Sequence, residues 1–282
     1  MKFVTYVSGA EMPRVGVLEG DKIFDLGRHG YAGMLSVIGG GDAAIATAKR
    51  ATGSGEFLPL STVRLLAPIQ RPPRIFCIGL NYASHAAESQ MKVQAVPTVF
   101  MKLASSVIGP GEDVVLPRNS TQPDYEAELA VVISRPGYRI AADDWEQYVF
   151  GYTILNDVSA RDVQLATSQW TLGKSFPTFT PLGPAIVTAD ETGDPHQLDI
   201  SLTIGGEVLQ SSNTRHLIFR IPQLIEYISS MTPLEAGDII STGTPEGVGL
   251  GRTPQRWLRP GEEMVIAIEK IGELRNRTRA EA

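Results

Sequence analysis

The sequence predicts a β-rich α+β protein, a fold class carried by three observations. Short apolar or alternating runs bounded by Gly, Pro or Asp recur along the whole chain. Clear helical spacing is confined to one segment, Ile221 to Met231, where Ile221, Leu224, Ile225 and Ile228 recur on one face. Strands and helices do not alternate regularly, which excludes a doubly wound parallel sheet.

Taken in order, residues 3–7, 14–18 and 22–26 read as short strands, with turns at Ser8-Gly9 and Glu19-Gly20-Asp21. Gly39-Gly40-Gly41-Asp42 precedes an Ala-rich stretch to Ala51 that reads as a short helix, and Gly53-Ser54-Gly55 ends it. Pro68 and Arg71-Pro72-Pro73 mark a junction, because successive prolines resist both helix and central strand. A small N-terminal module over 1–67 and a main domain over 68–282 are expected. In the main domain, 114–116, 129–133, 149–155, 185–187 and 265–268 read as strands.

Composition narrows the function classes. Hydrophobic residues at 43% and charged residues at 20% fit a globular protein and exclude a disordered one. A formal charge of −6 offers no basic footprint for nucleic acid. The single cysteine, Cys77, lies in an apolar run and reads as a small core residue that permits a reducing compartment. The opening Met1-Lys2-Phe3-Val4-Thr5-Tyr6 lacks the apolar stretch of a secretory signal, and no run of about eighteen apolar residues occurs. A cytoplasmic protein without a membrane span is expected.

Five motifs carry chemistry. In Asp124-Tyr125-Glu126-Ala127-Glu128-Leu129, strand alternation puts Glu126 and Glu128 on one face. Two adjacent carboxylates repel unless water, a proton or a cation intervenes; a solvated acidic face is the alternative. The run 149–155 stops at Asn156-Asp157, a polar pair at the end of an apolar strand, where a side chain is held rigidly or a turn begins. Three converging carboxylates would favour a hard cation, Mg²⁺ with Mn²⁺ as the alternative, while no Cys or His cluster supports zinc. Gly173-Lys174-Ser175 is not a phosphate-binding loop, since Ser168 stands where a glycine is needed. Lys174 reads either as a surface lysine or as a cation for an anionic substrate.

His85 and Glu88, three residues apart, share a face on a helical turn, which makes His85 an oriented general base or the pair a plain helix contact. The other histidines, His29, His196 and His216, have no comparable partner and no expected role. An apolar strand runs into Gly243-Thr244-Pro245, which can offer N–H groups and the Thr244 hydroxyl to an anion.

Together and in this order, Gly-Leu-Asn-Tyr at 79–82 with His85 and Glu88, Asp-Tyr-Glu-x-Glu-Leu at 124–129, Asn-Asp-Val-Ser-Ala-Arg-Asp at 156–162, Gly-Lys-Ser-Phe at 173–176 and Ser-Thr-Gly-Thr-Pro-x-Gly-Val-Gly at 241–249 resemble the fumarylacetoacetate hydrolase family. The resemblance implies a mixed, rolled β-sheet domain with a small N-terminal β-rich module and a homodimer. It implies a metal on Glu126, Glu128 and Asp157, catalytic His85, Glu88 and Lys174, and substrate contacts at Thr244, Arg161, Gln164 and Tyr82. It also implies a lid over 82–95 that carries the dyad. Pro177 and Leu103 depart from the family pattern, which commonly has Asp and Pro there. The expected activity is metal-dependent C–C hydrolysis of an acylpyruvate-like or β-dicarbonyl acid. Alternatives are 2-oxo acid decarboxylation, enol/keto isomerisation of a hydroxymuconate-type diacid, a ureidoglycolate-type lyase and a silent small-acid binding protein.

Overall fold

The computed structural model describes residues 1–9, 12–88 and 94–282. Among these, a twelve-stranded mixed sheet runs through Leu58–Pro59, Lys22–Asp25, Arg14–Glu19, Lys2–Val7, Thr180–Thr188, Val149–Asn156, Ala127–Ile133, Ile239–Ser241, Ile75–Gly79 and Thr98–Lys102. Arg64–Leu66 and Val107–Ile108 pair beside that path with Lys2–Val7 and Thr180–Thr188. A five-stranded sheet runs Glu207–Asn213, Asp199–Ile204, Glu263–Ile268, Gly272–Ala280, Val114–Leu116. Leu129, Val131 and Ile154 of the first sheet share one core with Ile200, Leu202 and Ile266 of the second.

The central strands are fully buried because their sequences are continuous apolar runs rather than alternating ones. Ala127–Ile133 and Val149–Asn156 are antiparallel, with Ala127 opposite Asn156 and Leu129 opposite Ile154. An antiparallel pair brings the start of one strand beside the end of the other. That register places the glutamates at one strand's start next to Asn156-Asp157 at the other's end.

The chain before residue 68 continues the same sheet. Lys2 and Phe3 pair with Val187 and Ile186. The Ala-rich helix forms over Gly41–Gly53, and Ala44, Ala48 and Ala51 pack with Phe3, Val15, Val17, Phe150 and Ile186. Helix Ile221–Met231 buries the stripe read from its spacing. Its first N–H, that of Ile221, donates to His196 Nε2 at 3.2 Å, while His196 Nδ1 faces Asp194 at 3.2 Å. His196 therefore has a partner two residues away and a capping role that the sequence reading did not assign. No helix among the described residues is long and apolar enough to cross a membrane.

Candidate active site

Glu126, Glu128 and Asp157 meet at the strand junction, offering three carboxylate oxygens within 4.8 Å of one another. All three side chains are buried, which excludes the solvated acidic face. The regular strand starts at Ala127, and Glu126 is fixed instead by its own N–H donating to Asn156 Oδ1 at 3.0 Å and its carbonyl accepting Asp157 N–H at 2.9 Å.

Three buried cations surround the carboxylates. Lys174 Nζ bridges Glu126 Oε2 at 2.6 Å and Asp157 Oδ2 at 2.7 Å. Lys102 Nζ donates to the other Asp157 oxygen at 2.6 Å and also reaches the Lys174 carbonyl. Arg161 donates to Asp124 at 2.8 Å, Glu126 at 2.5 Å and Gln164 at 3.0 Å. Glu128 has no cation of its own among the described residues: its Oε2 accepts from Ser241 Oγ at 2.5 Å and Gly243 N–H at 3.0 Å. Gly243 has φ +101°, and a Cβ there would lie 2.8 Å from Asn81 Cβ, so only glycine brings this N–H to the carboxylate.

The electrostatics follow from that arrangement. Burial pushes the Glu128 carboxyl well above the usual range, and the charges of Asp157 and Glu126 push it further. Burial acts the same way on Glu126, but Arg161 and Lys174 outweigh it and hold that carboxyl below the usual range. Burial lowers Lys174, yet Asp157 and Glu126 outweigh it and raise its pKa. With all four carboxylates ionised, counting Asp124, they outnumber the three cations by one negative charge, the excess that the raised Glu128 pKa answers with a proton.

The donor set fits a hard divalent cation. It is all oxygen, and its 4.8 Å spread is slightly wider than the roughly 3–4 Å separations of oxygens around an ion with 2.1 Å bonds. A divalent charge would turn the excess to one positive charge, matching a substrate carboxylate.

The dyad lies on helix Ala83–Glu88. His85 Nδ1 faces Glu88 Oε1 at 3.0 Å, and Glu88 Oε2 accepts Gly247 N–H at 2.9 Å. Ser84 Oγ also donates to Glu246. The expected lid is docked as far as Glu88, with His85 and Ala86 buried, because Glu88 and Glu246 tie it to the loop after Ser241; residues 89–93 of it lie outside the described residues. Asn81, part of the Gly-Leu-Asn-Tyr motif but given no role from sequence, anchors the turn before this helix. Its side chain donates to the carbonyls of Phe219 and Thr242 at 2.9 and 2.8 Å and accepts Phe219 N–H at 2.7 Å.

His85, Glu126, Glu128, Arg161, Gln164, Lys174 and Thr244 line one pocket with Gly79, Phe100 and Trp170. Its volume of about 30 Å³ holds a water or two. Thr244 Oγ1 accepts from Gln210 Nε2 at 2.8 Å and retains its hydroxyl proton for a ligand. Arg161 lines the pocket, but its donors hold Asp124, Glu126 and Gln164. Tyr82 does not line it; its ring is wholly buried beside the dyad helix, where its backbone bridges Leu217. Lys102, at the end of strand Thr98–Lys102, carried no expected role in the sequence.

Residues 74–279 match the family described as fumarylacetoacetate (FAA) hydrolase, C-terminal. The mitochondrial oxaloacetate tautomerase Fahd2a of Rattus norvegicus is 44% identical over 246 residues, 86% of this chain and 79% of that one. Maleylpyruvate hydrolase from Sphingobium sp. SYK-6, solved with manganese(II) and pyruvate, is 31% identical over the full length of both chains, with TM-score 0.86. A fumarylacetoacetate hydrolase from psychrophilic Exiguobacterium antarcticum is 34% identical over the full length of both, with TM-score 0.87.

Proposed function

Given that the chain belongs to the fumarylacetoacetate hydrolase family, we propose that it interconverts the keto and enol forms of a small 2-oxo acid of the oxaloacetate type. The observation that carries this reading is the clamped dyad facing a buried ammonium across one small pocket. Glu88 engages Nδ1 of His85, which assigns the proton to Nδ1 and leaves Nε2 as the base. Keto–enol exchange asks for little more: His85 takes the proton from the carbon beside the 2-oxo group, Lys174 donates a hydrogen bond to the enolate oxygen, and transfer of the proton from His85 to that oxygen gives the enol. Return of the proton to carbon completes the reverse direction. Glu88 holds the ring in place, and Thr244 supplies a hydroxyl to the acid.

Glu126, Glu128 and Asp157 would hold the divalent cation, Mg²⁺ in this proposal. Bound there, it would supply Lewis-acid charge to the carboxylate and 2-oxo oxygens. The substrate class draws support from the tautomerase relative, and the cation from the manganese-containing hydrolase. That hydrolase also supports a second reading, C–C cleavage of an acylpyruvate, in which His85 activates water instead. A cytoplasmic homodimer completes the proposal.

The test follows exchange of the C3 protons of oxaloacetate in D₂O by NMR, with pyruvate formation from oxaloacetate and from an acylpyruvate read alongside. Wild-type protein with Mg²⁺ should accelerate exchange without net loss of substrate. His85→Ala should slow exchange about 10²–10⁴-fold. Cleavage of the acylpyruvate with no acceleration of exchange would favour hydrolysis over tautomerisation.

A further inference from the structure

The pocket has two unlike walls. The carboxylates and Lys174 form one, and the other is apolar, built chiefly from Phe100, Leu165 and Trp170. The lysine and arginine of the lining, Lys174 and Arg161, are both engaged by carboxylates. On the 2-oxo acid reading, the head would sit at the first wall and the atoms beyond the 2-oxo group would face the second.

Trp170 is fitted closely into that second wall. Strand Ile75–Gly79 pairs with Thr98–Lys102 so that Cys77 lies opposite Phe100. Cys77 and Gly79 share a strand face, so the Phe100 ring and the bare Cα of Gly79 border one groove. The Trp170 indole fills it. A Cβ on Gly79 would lie 2.4 Å from Trp170 Cζ3. Phe100 meets the indole edge-on, with ring centroids 5.4 Å apart, and takes the Lys174 ammonium over its face at 5.1 Å. The Trp170 carbonyl accepts Lys174 N–H at 3.2 Å. Gly79 and Phe100 hold the ring and the Lys174 bond fixes its backbone, so the indole forms a set wall, and the space left before it is small.

We propose that Trp170 is the specificity-determining residue of the pocket, setting how long a tail the bound 2-oxo acid carries, with Gly79 kept small to admit the indole. The inference rests on the 2-oxo acid reading above. A rival role is purely supportive: Trp170 would hold Phe100 and Lys174 without meeting the tail. The two differ in what removal of the ring does across a series of chain lengths.

The experiment measures binding of pyruvate, 2-oxobutyrate, 2-oxovalerate and 2-oxohexanoate by calorimetry in Mn²⁺, together with their inhibition of oxaloacetate exchange. Wild-type protein should bind the short acids and reject the long ones. Trp170→Ala should improve binding of the longest relative to the shortest by about ten-fold or more, the scale of a methylene gained or refused in a tight pocket. Trp170→Phe, a milder change, should fall between. Gly79→Ala should disturb binding in the wild-type background and be tolerated in the Trp170→Ala background, because the clash is then gone.

Equal weakening across the series in both Trp170 variants would overturn the proposal and leave the support role, with oxaloacetate exchange by the wild type still upholding the 2-oxo acid reading. A length limit that shifts with Trp170 in a protein that exchanges nothing would uphold the proposal and sink the assigned reaction. Binding of no member by any of these proteins would overturn both.

Discussion

Strand Ile239–Ser241 is short, and a buried acid lies at each end of it. At its start Asp238 is matched: Arg74 donates to both its oxygens, at 3.0 and 2.5 Å, and Glu235 N–H adds a third bond at 2.7 Å. At its end Glu128 meets only neutral donors, Ser241 Oγ and Gly243 N–H, beside two further carboxylates. Burial raises the pKa of both carboxyls, but at Asp238 an arginine answers the charge directly, whereas at Glu128 the neighbouring carboxylates add to the cost. A matched buried acid belongs to the fold, whereas an unmatched one beside like charges is a site built for something the chain alone does not supply.

The most forceful way to break this comparison is to neutralise each acid. Glu128→Gln should reduce turnover by about 10²–10³-fold or more and abolish the thermal shift given by Mn²⁺. It should also raise the melting temperature of the metal-free protein, since a like charge leaves a buried cluster. Asp238→Asn should do the reverse, keeping the Mn²⁺ shift while lowering stability by about 2–3 kcal/mol. That figure sits below the usual cost of breaking a buried pair because Arg74 is 24% exposed. Scanning calorimetry with and without Mn²⁺ reads both variants, and equal behaviour would erase the distinction.

Next comes Lys174, whose ammonium bridges Glu126 Oε2 and Asp157 Oδ2, on two of the three residues that would hold the cation. Lys174→Met should lower exchange by about 10²-fold, as loss of one positioned donor does. The same variant should bind Mn²⁺ more tightly in calorimetry, because a competing internal cation is gone. Weaker Mn²⁺ binding would mean that Lys174 organises the carboxylates rather than standing in for the metal.

The effect of pH is smaller and has a defined sign. Glu128 has a folded-state pKa raised by burial and by Asp157 and Glu126. A raised carboxyl stabilises the fold below its unfolded pKa and loses that contribution as pH rises through the folded value. Metal-free protein should therefore lose stability from Glu128 as pH climbs above the ordinary glutamate range. Added Mn²⁺ competes with that proton, so the stabilisation it gives should grow with pH. Melting curves over a pH series, repeated on Glu128→Gln, isolate the contribution.

Much of this was legible in the sequence because local pattern and tertiary position agreed. The central strands announce themselves as apolar runs, and two glutamates separated by one residue share a side wherever the chain is extended. Helices Gly41–Gly53 and Ile221–Met231 follow their Ala-rich and stripe patterns. Lys102, Asn81 and Gln210 were not legible as site residues, since each works through partners at least 34 residues away in sequence. Strand Thr98–Lys102 is partly exposed and lacks alternation, so its buried terminal lysine had no local signature. Nor does spacing distinguish Tyr82 packed in the core from Tyr82 facing a ligand.

The smallest expected effect concerns Leu103, the residue after that lysine, where a proline is common in the family pattern. Leu103 N–H donates to Ser175 Oγ at 3.1 Å, one residue from Lys174, and a proline would remove that bond. Its backbone, at φ −84° and ψ 136°, is already close to what proline adopts, and Lys102 before it is in a strand, which proline tolerates. Losing the bond costs about 0.5–1.5 kcal/mol, and the stiffer unfolded chain returns about 0.4–1 kcal/mol. Leu103→Pro should therefore leave melting temperature and exchange rate nearly unchanged. Lys102→Met, one residue away, should instead strip Asp157 of a buried partner and lower both. If the proline variant proved as damaging as the lysine variant, the site would depend on the Leu103–Ser175 tether as much as on buried charge, and the contrast between the two ends of Ile239–Ser241 would need that tether added to it.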